Sequence, residues 1–183
     1  MAVSDKRQQR PDLRAPAQRT VDKHALLDTL RADLAVAVEV MIKAASTAHD
    51  AATHPEMKPE NDKDTRGIEA GYLAGAQSAR AAAMQRTLRQ LNALVPRAFA
   101  ADDAVDATAL VELTEAVAGK LKRTVVFVSP HGGGLKASVV GVEVQVVTPE
   151  SPLGDAVMGK RAGDVVELHA GGKIREIEIV RVS

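Results

Sequence analysis

The chain has no cysteine and no tryptophan, and only one tyrosine and two phenylalanines in 183 residues. Without cysteine it has neither a disulfide framework nor a thiolate metal site, a usage that fits a reducing compartment. With aromatics at 2%, any core has to be assembled from alanine, valine and leucine. Tyr72, Phe99 and Phe127 are too few to build a stacking platform for bases. An excess of one charge sign is lacking as well. Lys plus Arg and Asp plus Glu number 24 each, so the chain has no global positive field of the kind that coats nucleic acid, and any nucleic-acid role has to be indirect. No apolar run is long enough to span a bilayer, and residues 1–20 carry charges where a signal peptide needs its apolar segment. The expectation is a cytoplasmic protein with no membrane partner.

What is present is a soluble balance, 45% hydrophobic and 26% charged, enough for one ordinary domain or two small ones. Prolines at 11, 16, 55, 59, 96, 130, 149 and 152 leave two long proline-free windows, 17–54 and 60–95. Each window reads as a helix. In the first, Leu27, Leu30, Leu34, Ala37, Met41, Ala44 and Ala48 recur at alternating spacings of three and four, the seam of a coiled coil. In the second, Met84, Leu88, Leu91 and Val95 continue that spacing, with Leu73, Ala76, Ala79 and Ala83 in the earlier half. Folded back at residues 53–62, the two helices pair antiparallel, with bulky residues at the base and alanine towards the tip. At 1.5 Å per residue, about 30 residues per arm make a finger of roughly 45 Å.

The turn of that finger is acidic. Residues 50–64 hold Asp50, Glu56, Glu60, Asp62 and Asp64 against Lys58 and Lys63, a formal charge of −3. Carboxylates are also favoured in the first turn of any helix, and Asn61 or Asp62 would serve as an ordinary cap, so the residues alone leave a structural role open. After residue 95 the pattern changes. Residues 96–107 read as a polar linker. Short β-rich runs then follow at 110–113, 122–128, 139–147, 164–168 and 174–182, separated by glycine turns such as Gly132-Gly133-Gly134 and Gly171-Gly172. The fold class is therefore α+β: a basic tail over 1–20, expected to be disordered, a helical hairpin over 21–95, the linker, and a small antiparallel β domain over 108–183. Residues 1–20 carry five basic against two acidic side chains.

Between the fourth and fifth runs lies Ser151-Pro152-Leu153-Gly154-Asp155-Ala156-Val157-Met158-Gly159-Lys160-Arg161-Ala162-Gly163-Asp164-Val165-Val166-Glu167-Leu168. Two prolines fix the backbone ahead of a short apolar turn, and Gly159 and Gly163 bracket a reversal. This S-P-L-G-x-A-x-x-G-K-x-x-G-D-x-V-E-L pattern resembles the C-terminal domain of the Gre transcript cleavage factors of bacterial RNA polymerase. The resemblance covers about residues 108–183 well and the finger more loosely. It implies an FKBP-like fold for the β domain, monomeric binding to RNA polymerase, and a finger threaded into the secondary channel. Ser151, Pro152, Leu153, Gly154 and Met158 become partner-binding candidates, although Leu153, Ala156, Val157 and Met158 equally suit the domain's own core. The tip pattern D-L-K-E-N of that family is matched by Glu56-Met57-Lys58-Pro59-Glu60-Asn61. Glu60 and Asn61 match directly, Glu56 stands for the leading aspartate, and Pro59 is one residue extra. The resemblance then implies that no cofactor is held stably and that Glu60 and Glu56, with Asp62 and Asp64 in reserve, help hold a Mg²⁺ shared with the polymerase. The polymerase, not this chain, is the enzyme. Two further readings stay open: a Gre-like paralogue that occupies the channel without cleavage, and a scaffold module.

Other motifs carry less. His131-Gly132-Gly133-Gly134 looks like an esterase oxyanion loop but lacks a G-x-S-x-G elbow, so a glycine turn is expected. Gly159-Lys160-Arg161 fails the spacing of a phosphate-binding loop. His49 and His54 are wrongly spaced for a shared zinc ion. Prolyl isomerisation, which the FKBP-like fold suggests, needs an aromatic-lined pocket that Phe127 alone cannot supply.

Overall fold

The computed structural model describes residues 20–54, 66–117 and 119–183. Helix α1 (Lys23–Thr53) begins where the Asp22 carboxylate accepts a hydrogen bond from the His24 N–H at 2.9 Å, closing one of the unpaired donors of the first turn. It stops at His54, since the residue before a proline is disfavoured in helical geometry. Helix α2 (Arg66–Ala93) runs back against it. Its last carbonyls are met by a side chain of the other helix. Arg31 donates from Nε and Nη2 to Leu91 O at 3.1 and 2.9 Å, and from Nη2 to Leu94 O at 3.0 Å. A cation at the negative end of α2 thus locks the base of the hairpin.

The hairpin is as expected; its seam differs in phase. On α1, Leu27, Leu30, Leu34, Val38 and Ala45 are buried, whereas Ala37 is half-buried and Ala44 exposed. A straight helix drifts about 20° per heptad against a strict 3.5 repeat, so the buried row takes two successive steps of four, through Leu34 to Val38. On α2 the buried row is Ala74, Ala81 and Leu91, with Gln77, Met84 and Leu88 half-buried between them. Leu73 is 58% exposed and Val95, beyond the helix end, 79% exposed. Among so many alanines, neighbouring rows differ little in hydrophobicity, and the phase set by Leu91 and Leu88 prevails. That phase carries Gln77 into the seam, where its Oε1 is buried without a partner among the described residues.

The remaining strands are β1 (Leu110–Val117), β2 (Lys120–Val128), β3 (Lys136–Val139), β4 (Val142–Val147), β5 (Val165–Ala170) and β6 (Lys173–Val182). They form one sheet in the order β3-β4-β2-β1-β6-β5. All neighbours are antiparallel except β2 and β4, so the sheet is mixed. The run 139–147 is a hairpin and not a single strand. Val140 and Gly141 turn it with φ of 48° and 79°, and a valine at such a position gives no turn signal. The apolar turn at 153–158 is also more regular than expected, forming the short helix α3 (Pro152–Val157).

Both sheet faces are used. On one, Val111, Leu113, Val126, Val128, Leu168, Ile177 and Ile179 pack beneath α3. On the other, Leu110, Val125, Phe127, Val144 and Val146 pack against Val21, Leu26, Leu27 and Leu30 at the start of α1. Leu26 and Leu27 are 0% exposed and Leu30 2%, and each such side chain contributes roughly 1.5–3 kcal/mol in burial. The finger is therefore seated on the sheet by its own base. Residues 96–107, expected as a polar linker, are stitched to the sheet domain. Val105 is 1% exposed, its N–H donates to Lys160 O at 2.7 Å, and its carbonyl accepts from Gly159 N at 2.8 Å.

Candidate functional site

The Ser151–Met158 corner is built from its capping residue upward. Ser151 Oγ accepts from the Gly154 N–H at 3.1 Å and donates to Thr148 O at 2.7 Å, while Pro152 supplies the pre-set φ of a first helical position. Gly154 is required by space: a Cβ there would lie 1.9 Å from Thr148 O. Val157 is fully buried, and Leu153, Ala156 and Met158 pack in part against the same cluster. Gly159, at φ +72°, turns the chain back so that its N–H reaches Val105 O. Asp164 Oδ2 then accepts from the Arg161 N–H at 2.8 Å, closing the second reversal.

Of the five partner-binding candidates, Gly154 is buried and structural, Ser151 is a cap, and Leu153 and Met158 are divided between core and surface. Pro152 is exposed, beside Asp155. Ser151, Pro152 and Leu153 form one wall of a 530 Å³ cleft whose other side includes Gly133, Gln145 and Thr148. Sequence reasoning missed that far wall. Gly133 was readable only as part of a turn, yet a Cβ on it would come within 2.8 Å of Thr148 Cγ2, so the glycine sets how closely the loop approaches. The loop His131–Gly134 is the expected turn, held by Ser129 Oγ donating to His131 O at 2.7 Å. None of the described residues that line the cleft is aromatic. Phe127 is 0% exposed and faces α1, on the opposite side of the sheet.

Three electrostatic features lie outside the cleft. Glu112, 5% exposed, is engaged by Arg123 and by Arg181, whose Nε lies 3.1 Å from its Oε1. Glu115 is held below the usual carboxylate range by its hydrogen bond from Arg175, with the charges of Arg175 and Lys122 adding to the effect against partial desolvation. At the base of the finger Lys23 donates to Arg97 O at 2.8 Å, and both Lys23 Nζ and the Arg97 guanidinium sit over the Phe99 ring, at 4.3 and 4.0 Å. Burial and then the Arg97 charge push the Lys23 amine down to about 8. Lys23 and Arg97 are 74 positions apart, so no local motif announces this pair.

The tip candidates Glu56, Glu60, Asp62 and Asp64, nominated also for metal binding, lie outside the described residues. Among the described residues no group of three or more His, Asp or Glu side chains is placed to hold a metal ion. No helix among them is long and apolar enough to cross a membrane.

Residues 101–183 match the family described as "Transcription elongation factor, GreA/GreB, C-term". No curated protein matches the chain. Among solved structures, it is similar to the GreA factor homolog 1 (Gfh1) protein of Thermus thermophilus, at 23% identity and a TM-score of 0.34 over 84% of this chain and 94% of that one. It is similar to Gfh1 of Thermus aquaticus at 19% identity and a TM-score of 0.34, over 85% and 94%. The transcription elongation factor GreA/GreB of Nitrosomonas europaea matches at 17% identity and a TM-score of 0.33, over 55% and 78%.

Proposed function

We propose that the chain binds bacterial RNA polymerase and acts on it from the secondary channel, a reading supported by the match of residues 101–183 to the C-terminal domain of the GreA/GreB transcription elongation factors. In this reading it works in the cytoplasm as a helper of the polymerase active site and not as an enzyme itself. The observation that carries the proposal is the union of two parts. A Gre-type domain is joined, through the buried base of α1, to a helical hairpin whose 31- and 28-residue arms span about 40–45 Å. The segment between the arms is acidic.

The sheet domain holds the polymerase, with Pro152 and the cleft beside it as the contact. Arg31 and the leucines at the base of α1 keep the finger aligned with the sheet domain. The tip donor set of Glu60 and Glu56, with Asp62 and Asp64, is hard carboxylate oxygen, the chemistry that Mg²⁺ selects. Glu60 and Glu56 would hold a Mg²⁺ shared with the polymerase, which when bound polarises water and stabilises a leaving oxygen in hydrolysis of backtracked RNA. A second reading is favoured by Pro59, the extra residue before Glu60. If it alters the reach of the carboxylates, the chain occupies the channel and inhibits.

Binding is tested by titrating the full chain against the cognate polymerase. Wild type binds, and Pro152→Glu, at an exposed position that accepts an acidic first-turn residue, folds normally but binds more weakly. Absence of wild-type binding overturns the reading, and full-strength binding by Pro152→Glu moves the contact away from this corner.

A further inference from the structure

Strand β5 ends the sheet, so one of its edges has no strand beside it among the described residues. The opposite edge strand, β3, is only four residues long and starts with Lys136, two devices that discourage a further strand. Strand β5 has six residues, keeps an unbroken register with β6, and contains neither proline nor lysine. Of the two sheet edges it is the one less protected against pairing.

The turn into β6 fixes which backbone groups that edge offers. Ala170 and Lys173 are partners joined by Gly171 and Gly172, at φ of 60° and 74°, a two-residue turn whose flanking residues form a hydrogen-bonded pair. Hydrogen-bonded and open pairs alternate along an antiparallel ladder, so Leu168 with Arg175 and Val166 with Ile177 bond inward as well. The Ile179 N–H donating to Asp164 O at 2.9 Å continues the same series. The N–H and C=O groups of Val165, Glu167 and His169 therefore face away from β6, and all three residues are exposed.

Those groups can meet their own kind in another molecule when Glu167 stands opposite Val165, Glu167, His169 or Gly171 of a second copy, and charge separates the four registers. Opposite Glu167 the carboxylate meets a like charge, although Glu176 already opposes it on the β6 side. Opposite Val165 or Gly171 it gains no partner. Opposite His169 it meets an imidazole, which has an N–H to donate in either protonation state. Within one chain His169 Nε2 lies 3.8 Å from Glu167 Oε2, so in this register carboxylates and imidazoles alternate around the symmetry axis.

We propose that β5 pairs antiparallel with β5 of a second copy about a two-fold axis at Leu168, with Glu167 of each chain opposite His169 of the other. The axis makes that contact twice, and both are narrow pairs that exchange two backbone hydrogen bonds. On the other face of the strand Leu168 meets Leu168 of the second copy, beside the core beneath α3. The pairing belongs to the free chain and is independent of the proposed polymerase contact.

Sedimentation equilibrium of the full chain at a series of concentrations, with no polymerase present, tests the pairing. The wild-type mass should rise with concentration from the 19.3 kDa of one chain towards twice that value. Glu167→Pro removes an outward N–H at an edge position that tolerates proline, and should hold the mass at one chain throughout. Glu167→Lys sets a cation against the imidazole of the second copy and should abolish the rise as well. Adding His169→Glu to Glu167→Lys restores opposite charges across the axis and should bring the rise back. If circular dichroism shows that Glu167→Pro fails to fold, the two charge variants decide alone. A wild-type chain that stays monomeric overturns the pairing. So does a rise in mass that survives in Glu167→Lys or in folded Glu167→Pro, or one that the double variant does not recover.

Discussion

Replacing Gly154 by alanine tests whether the Ser151–Met158 corner is held as described. The added Cβ would stand 1.9 Å from the Thr148 carbonyl oxygen, and that oxygen is backbone, unable to swing aside as a flexible side chain would. Relief requires the first turn of α3 to move by more than 1 Å, on the order of the shortfall from ordinary van der Waals contact. Two hydrogen bonds depend on that spacing, from Ser151 N to Thr148 O at 2.9 Å and from Ser151 Oγ to the same oxygen at 2.7 Å. Losing both costs about 1–3 kcal/mol, and overpacking of a filled site adds about 1–3 kcal/mol. The expected destabilisation is therefore about 2–6 kcal/mol, a large part of the roughly 5–15 kcal/mol that holds a domain together. Urea unfolding of wild type and Gly154→Ala followed by circular dichroism reads it directly, with Asp155→Ala, an exposed neighbour, as the control expected to change by less than about 1 kcal/mol. A Gly154→Ala midpoint within about 1 kcal/mol of wild type would refute the account of why glycine stands there.

Two further outcomes follow from buried polar groups. Gln77→Leu removes an amide oxygen left without a partner in the hairpin seam, and should stabilise the finger by about 1 kcal/mol, seen as a rise of about 2–4 °C in Tm; a fall in Tm would mean that the oxygen is satisfied. Lys23, with its folded pKa at about 8 and its unfolded value near 10.4, binds fewer protons folded than unfolded between those limits, so its contribution to stability rises with pH across that window. Lys23→Met should flatten this rise in a series of urea midpoints from pH 7 to 10.5, and a slope unchanged by the substitution would contradict it.

The helical hairpin was legible because proline marks where helices cannot run. Pro55 and Pro96 bound α1 and α2 within a few residues. The phase of the seam was less so, since a strict heptad reading selects Ala44 and Leu73 while a straight helix buries Ala45 and Ala74. The seam's Gln77 could not be found by seeking apolar residues. In the sheet, alternation gave most strands. It failed at Val140, where a left-handed valine hides a hairpin, and at Ile174, which points out of the core although it is as aliphatic as Ile177. The candidate corner was visible as a motif, whereas the facing wall with Gly133 and Thr148 required the three-dimensional approach of a distant loop. The supposed linker was misjudged because its polar aspartates conceal Val105, which is fixed by backbone bonds to the turn after α3.

The proposed function is that the acidic tip acts on a polymerase to which the sheet domain holds it. The direct measurement is transcript cleavage in backtracked complexes of the cognate polymerase, with wild type, Glu60→Ala and Glu56→Ala, across a range of Mg²⁺ concentrations. The account predicts that wild type stimulates cleavage, and that both variants bind and fold within about 0.5 kcal/mol of wild type while losing the stimulation. Wild-type protein that binds the polymerase yet never stimulates cleavage at any Mg²⁺ concentration would contradict it and leave the inhibitory reading in its place.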